Sequence, residues 1–272
     1  MSDVDLLADA IPHEWVCAKL EDIVETVDTG FPSGKHNTNK IGVPHLRPMN
    51  ITSTGEIDLS NVIYVESSDY KTLVEGDVLF NNTNSPKLVG KTAFIGKNTD
   101  WAFSNHMTRI RVNPASLNSR YLAKYLHALY YTGFFRMRCT NHVNQASINR
   151  SFLMKNVVIP IPPLSEQHRI VTKIEELFTQ LDAGVAALTM ALAQLKRYRQ
   201  SVLKAAIEGS LTDSWRFENS NIESVDELMD RVNSRKSSKK RRLKEQINEN
   251  SGDSLTIPDS LKWVQVQDVG EV

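Results

Sequence analysis

Between Pro163 and Pro258 the chain contains no proline, and the first half of that stretch carries a single apolar stripe. Ile174, Leu177, Leu181, Val185, Leu188, Leu192, Leu195, Tyr198 and Val202 follow one another in steps of three or four. That spacing keeps all of them on one face of an α-helix. Pro162-Pro163 stop what precedes. Ser165 is the expected N-cap, Glu166 suits the positive end of the helix dipole, and Gly209 is the expected stop. A helix of about 43 residues is about 65 Å long at ~1.5 Å per residue. A domain of ordinary size cannot cover a stripe of that length, so the pattern calls for a partner helix of similar length.

The preceding region has a different texture. "VIYV" (62–65), "DVLF" (77–80), "TAFIG" (92–96), "TRIRV" (108–112) and "NVVIPIP" (156–162) are short β-type runs separated by Gly, Asn, Pro and Ser clusters. "NSRYLAKYLHALYY" (118–131) places Leu122, Tyr125, Leu126 and Leu129 at helical spacing behind an Asn/Ser start. The fold class expected is α+β: one mixed α/β domain over 1–160, then the long helix within 161–212.

The net charge is zero, but the charges are unevenly placed. Between Asp100 and Glu166 there is no acid, while Arg109, Arg111, Arg120, Lys124, Arg136, Arg138, Arg150 and Lys155 fall there. Phosphate binding needs a local positive surface rather than a positive total, so this stretch is expected to offer one. Residues 213–256 are polar, with nine Lys/Arg against nine Asp/Glu. Even its basic piece "SRKSSKKRRLKEQ" therefore reads as a charged linker. The two cysteines, Cys17 and Cys139, form no CxxC and are expected to be free thiols in a reducing compartment. No leader-like start and no apolar run of membrane length is present, so a soluble, cytoplasmic chain without a membrane partner is expected.

Catalytic signatures are missing. "SPKLVGKT" (85–92) imitates a phosphate loop, but Ser85 replaces its first glycine and a strand, not a helix, follows. The seven histidines form no HxxxH pair and lie at no ligand spacing from a cysteine, so no metal site is expected. No GxSxG elbow and no Asn/Asp-Pro-Pro-aromatic motif occurs.

Near the end, "IPDSLKWVQVQDVGEV" (257–272) repeats the pattern of "IPHEWVCAKLEDIVET" (11–26), sharing Ile-Pro, Asp22/Asp268 and Glu25/Glu271. These strings, with "GDVLFNNTNSPKLVGKTAFI" (76–95), "PLSEQHRIV" (163–171) and "AAIEGSLTDSWR" (205–216), resemble the specificity subunit of type I restriction–modification enzymes along nearly the whole chain. The resemblance implies a target-recognition domain at 1–160, a spacer helix at 161–212 in an antiparallel coiled coil, a linker at 213–256 and the start of a second recognition domain at 257–272. It implies a truncated half-subunit that binds double-stranded DNA and assembles with modification and restriction subunits. Those subunits would hold S-adenosylmethionine, ATP and Mg, and this chain no cofactor. With its second helix absent, the chain is expected to homodimerise through Ile174, Leu177, Leu181, Leu188, Leu195 and Val202. A coiled-coil structural protein that binds no DNA is the alternative.

The resemblance transfers no DNA-contacting residue. Donor-rich segments with few apolar anchors are the candidates: Lys35, His36, Asn37, Asn39 and Lys40 in one loop, and Arg136, Arg138, Asn141, His142, Asn144 and Gln145 in another. "TNSPKLVGKTAFI" is expected to be scaffold.

Overall fold

The computed structural model describes residues 11–66, 72–143, 145–219 and 221–235. They divide into two compact units at Thr179/Gln180. The first unit opens with β1 (Val16–Lys19), one helical turn α1 (Leu20–Ile23), β2 (Val24–Thr29), β3 (Val43–Leu46) and β4 (Ile63–Val65). It continues through β5 (Val78–Asn81), β6 (Thr83–Asn84), β7 (Thr92–Phe94), β8 (Ala102–Phe103) and β9 (Met107–Val112). Then come α2 (Ser119–Tyr131), α3 (Phe134–Arg138), β10 (Thr140–His142), β11 (Gln145–Ser147), α4 (Arg150–Asn156) and β12 (Val158–Ile161). The long helix α5 (Leu164–Ile207) starts in this unit and continues into the second, where α6 (Asp213–Glu218) and α7 (Val225–Arg235) follow.

An antiparallel sheet ordered β2-β9-β5-β7 forms the middle of the first unit. Its strand β5, Val-Leu-Phe-Asn, is buried at every position, which explains an apolar run without alternation. Val78 and Phe80 point into one core with Leu122, Leu126 and Phe135. Leu79 points into a second core with Leu46, Ile51 and Phe103, beneath the sheet β4-β3-β8. All five β-type runs of the sequence appear, as β4, β5, β7, β9 and β12, and the 118–131 pattern is α2. Asn118 caps α2 by accepting from the N–H groups of Arg120 and Tyr121.

The string that imitates a phosphate loop is scaffold packing. Gly90 has φ 95°, and a Cβ there would lie 2.4 Å from a Phe135 ring carbon. The glycine therefore serves a close approach beneath α3. Lys91 is buried, and its ammonium reaches the Ile51 carbonyl instead of solvent.

Strand β1 pairs antiparallel with β12, Val16 opposite Ile161, so the opening of the unit lies beside the strand that feeds α5. The two quoted motifs meet here. Trp15 Nε1 donates to Glu166 Oε2 at 3.1 Å. Gln167 is fully buried: its Nε2 donates to the Pro162 carbonyl at 2.9 Å, and its Oε1 accepts from the Asn118 N–H at 2.7 Å. Tyr121 and Tyr125 of α2 donate to the Pro160 and Val158 carbonyls. The start of α5 is thus fixed by the Trp15 side chain just before β1, the Asn118 N–H at the head of α2 and the Pro162 carbonyl just after β12.

Helix α5 begins at Leu164, two residues earlier than a Ser165 cap requires. The Pro163 carbonyl accepts the N–H groups of Glu166 and Gln167, at 2.8 and 3.0 Å, so Ser165 lies inside the first turn. Gly209, at φ 74°, ends the helix as expected, its N–H donating to the Ala206 carbonyl. The described part of the 213–256 linker contains α6 and α7. Its basic cluster beyond Arg235 and the repeat at 257–272 lie outside the described residues. No helix among the described residues is long and apolar enough to cross a membrane.

Candidate nucleic-acid interface

The two donor-rich segments converge on one turn, Ser104–His106. Residues 31–42 form a loop whose base is held there, since the Asn105 N–H donates to the Phe31 carbonyl at 3.2 Å. The second segment ends in a hairpin, β10 and β11, whose second strand β11 also pairs with β6. Strand β6 returns to the same turn, because the N–H groups of Asn82 and Thr83 donate to the His106 carbonyl. Two stretches a hundred residues apart in the chain are therefore mounted on one edge of the first unit.

Within the loop, Lys35, His36, Asn39 and Lys40 are exposed. Asn37 is half-buried and shapes the loop: its side-chain amide donates to the Ile41 carbonyl and accepts the Ile41 N–H, and its backbone pairs in both directions with Tyr64. Lys40 adopts φ 63°, the one non-glycine residue in the left-handed region among the described residues. In the second segment Arg136, Arg138, Asn141, His142 and Gln145 are exposed, and Asn144 lies outside the described residues. Arg138 stacks over the Phe134 ring at 4.2 Å, and His142 Nε2 lies 3.3 Å from the Ser147 hydroxyl across the hairpin.

The acid-free stretch is less positive in space than in sequence, which narrows the local positive surface expected of it. Arg109 is buried against Asp28, 2.6 Å away, and also donates to the Thr72 carbonyl. Arg111 pairs with both carboxylate oxygens of the fully buried Asp77, which raises its pKa further. Arg120 meets Glu175 at 2.7 Å. These acids lie outside the stretch, on β2, just before β5 and on α5, so a local count of charges could not reveal them. Arg136, Arg138, Arg150 and Lys155 remain exposed.

Between the Pro48–Asn50 turn and the hairpin lies an open cleft of about 380 Å³, lined by Arg47, Met49, Thr83, Asn84, His106 and Gln145 among others. No acidic side chain lines it. Of these residues only Gln145 belongs to the segments chosen from sequence. Arg47 and His106 sit singly in otherwise apolar or turn-like strings, and Asn84 lies in the Asn-rich string expected to be scaffold, so nothing in the local pattern marks them as donors. No group of three or more His, Cys, Asp or Glu among the described residues could hold a metal ion.

On the helix, Ile174 is half-buried, whereas Leu177, Leu181, Leu188 and Leu195 are 50%, 62%, 68% and 62% exposed. Val202 is half-buried.

Residues 12–187 match the family described as the type I restriction modification DNA specificity domain. The chain belongs to that family. Among curated specificity-domain proteins, the MjaX specificity subunit of Methanocaldococcus jannaschii is 29% identical over 224 residues, covering 80% of this chain and 51% of that one. The type I restriction enzyme EcoKI specificity subunit of Escherichia coli K12 is 28% identical over 221 residues, covering 78% and 47%. The chain thus spans about half the length of these relatives. The crystal structure of the HsdS subunit from Thermoanaerobacter tengcongensis aligns over 75% of this chain and 50% of that one, with a TM-score of 0.51 and 26% identity. A structure addressing complex assembly and conformational transition of the type I R-M system aligns with a TM-score of 0.56 and 25% identity, over the same shares of each chain. The specificity-domain match contains the Trp15–Glu166 and Gln167 contacts, so two of the strings that carried the resemblance, 11–26 and 163–171, help to seat the long helix.

Proposed function

We propose that this chain is a DNA sequence-recognition component of a type I restriction–modification assembly, reading one half of a bipartite site. The observation that carries the reading is the convergence of loop 31–42 and the β10–β11 hairpin on one edge, in a member of the specificity-domain family. Methylation and cleavage belong to modification and restriction subunits, which bind S-adenosylmethionine, ATP and Mg. The exposed side chains Lys35, His36, Asn39, Lys40, Arg136, Arg138, Asn141, His142 and Gln145 supply the donors, and Asn37 shapes the loop that presents four of them. The Leu177–Leu195 stripe is covered by the same helix of a second copy running antiparallel. Two recognition domains related by a two-fold axis then read a symmetric, interrupted site.

Retardation of a labelled duplex tests the reading. If Lys35, Lys40, Arg136, Arg138 and Arg150 all contact phosphate, the logarithmic salt slope is about −4.5 per protomer. Affinity then falls roughly 500-fold between about 50 and 200 mM salt. Absence of retardation at low salt, for a folded protein with or without its modification subunits, defeats the proposal.

A further inference from the structure

We propose that the cleft beside the Pro48–Asn50 turn is the base-reading pocket of the first unit, with Arg47 selecting a guanine and Met49 contacting the methyl group of a neighbouring thymine. The inference rests on the DNA reading above and assigns specificity to residues outside the two donor-rich segments.

The turn is built to hold these two side chains still. The Arg47 N–H donates to Asn50 Oδ1 at 2.9 Å, and Asn50 Nδ2 donates to the Asp58 carbonyl at 2.9 Å. Asn50 itself is only 1% exposed, so the turn is tied down from beneath. Arg47 Nη2 donates to the Asn61 carbonyl at 3.1 Å, which fixes the guanidinium plane; the buried Nε is out of reach of a ligand, so Nη1 and the second N–H of Nη2 form the fork left for a base edge. An oriented guanidinium with unused N–H groups at the edge of an acid-free cleft matches the N7 and O6 acceptors of guanine, which an arginine reads bidentately. Two of the facing polar groups are committed elsewhere: Asn84 Oδ1 accepts the Ser85 N–H and the Thr83 hydroxyl donates to Asn82. Arg47 is therefore the strongest donor the cleft offers to a base edge.

Met49 follows directly and is 55% exposed on this rigid turn. A flexible thioether against a thymine C5-methyl is one of the apolar contacts that distinguish A·T from G·C in the major groove. The exposed lysines of loop 31–42 touch phosphates in this arrangement; they position the domain and carry no sequence information.

Selection of bound duplexes from a randomised library, using the full chain with its modification subunits, tests this directly. The unmodified protein should select a motif containing guanine beside thymine. Arg47→Ala should lose guanine preference at one position by about 10- to 100-fold, with the rest of the motif intact. Arg47→Lys keeps the charge and the fold but not the fork, and should show the same relaxation in weaker form. Replacing the adjacent thymine by uracil removes only the methyl group, and should weaken the unmodified protein while leaving Met49→Ala unchanged. Lys35→Ala should lower affinity for all sequences alike. If the unmodified protein selects a motif and both Arg47 variants select it equally well, the pocket assignment is wrong. Insensitivity of the unmodified protein to uracil overturns the role of Met49. If the unmodified protein selects nothing, it is the DNA reading that fails.

Discussion

The first four turns of α5 and the turns that follow carry the same three-and-four apolar spacing but meet different surroundings. Gln167 and Val171 are buried, and Ile170 and Ile174 half-buried, because β12 and α2 pack around the helix start. From Leu177 to Ser201 every residue is exposed. Periodicity therefore specifies a face to be covered and is silent about what covers it. The anchored turns are satisfied within the first unit by one core residue, Val171, and one buried amide, Gln167. The exposed turns present Leu181, Val185, Leu188, Leu192, Leu195 and Tyr198 to solvent, a contiguous apolar stripe of the kind that marks an interaction surface.

The largest effect expected is on the exposed turns. Leu181→Lys together with Leu188→Lys places two charges in the stripe, where a paired helix would bury them. Association through α5 should be abolished, while the melting of the first unit stays unchanged. Sedimentation at micromolar concentration reads the outcome. An unmodified chain that is already monomeric there removes the coiled-coil proposal.

The anchored turns should respond in the opposite way. Gln167→Leu leaves the Asn118 N–H and the Pro162 carbonyl without their partners in a buried site. Stability should fall by about 2–3 kcal/mol. That corresponds to a drop of roughly 5–10 °C in melting temperature for a domain of this size. Association through the exposed stripe should persist. If Gln167→Leu instead dissociates the protein and leaves its melting intact, the two parts of the helix are not separable as described.

Acid should distinguish the same two parts. The first unit holds two buried imidazoles. His127 accepts the Thr92 N–H at Nδ1, and its Nε2 is 2.9 Å from the Ser53 carbonyl. His45 has Nε2 3.1 Å from the Phe31 carbonyl, and its buried Nδ1 has no partner. Burial pushes both pKa values below the ordinary 6.5, and nearby Lys124 and Lys91, or Arg47 and His36, add to the effect. With a folded pKa below the unfolded one, the unfolded chain takes up the proton first as pH falls. The stability these groups contribute is complete above about pH 6.5 and is lost as pH falls through their depressed folded values. No histidine follows His168, so the exposed stripe carries no such titration. Thermal melts of the first unit should weaken between about pH 7 and pH 5.5 with association retained, and His127→Gln should make the loss shallower. A melting temperature flat across that range contradicts the buried-imidazole account.

How much of this was legible in the sequence depends on the range of the interaction. The β-type runs, α2 with its Asn118 cap, and the long helix were legible because each rests on spacing within a few residues. The role of "PLSEQ" was not, because Glu166 and Gln167 act on Trp15 and Asn118, which are distant in the chain. The same limit explains the overcounted basic surface: Asp28, Asp77 and Glu175 neutralise arginines that have no acid near them in sequence. Arg47 is illegible in the sequence for a related reason, since only the seating of its turn by Asn50 and Asp58 brings it to the cleft.

The smallest expected effect tests whether the anchoring of α5 is a matter of buried groups or of surface charge. Arg120 Nη1 and Glu175 Oε1 are 2.7 Å apart and link α2 to α5, but both side chains are nearly half exposed, at 45% and 44%. Water and salt screen such a pair, so a double-mutant cycle with Arg120→Ala and Glu175→Ala should give a coupling of only about 0.5 kcal/mol, smaller still at high salt. The single substitutions should not be equivalent. Arg120 also lies over the Phe94 ring, 4.7 Å from its centroid, and that contact disappears in Arg120→Ala but survives in Glu175→Ala. Arg120→Ala should therefore cost about 0.5–1 kcal/mol more than Glu175→Ala. Chemical denaturation of the four proteins at low and high salt measures both quantities. A salt-insensitive coupling above about 1.5 kcal/mol would make the surface pair as important as Gln167, and the division between an anchored, buried helix start and an exposed remainder would have to be redrawn.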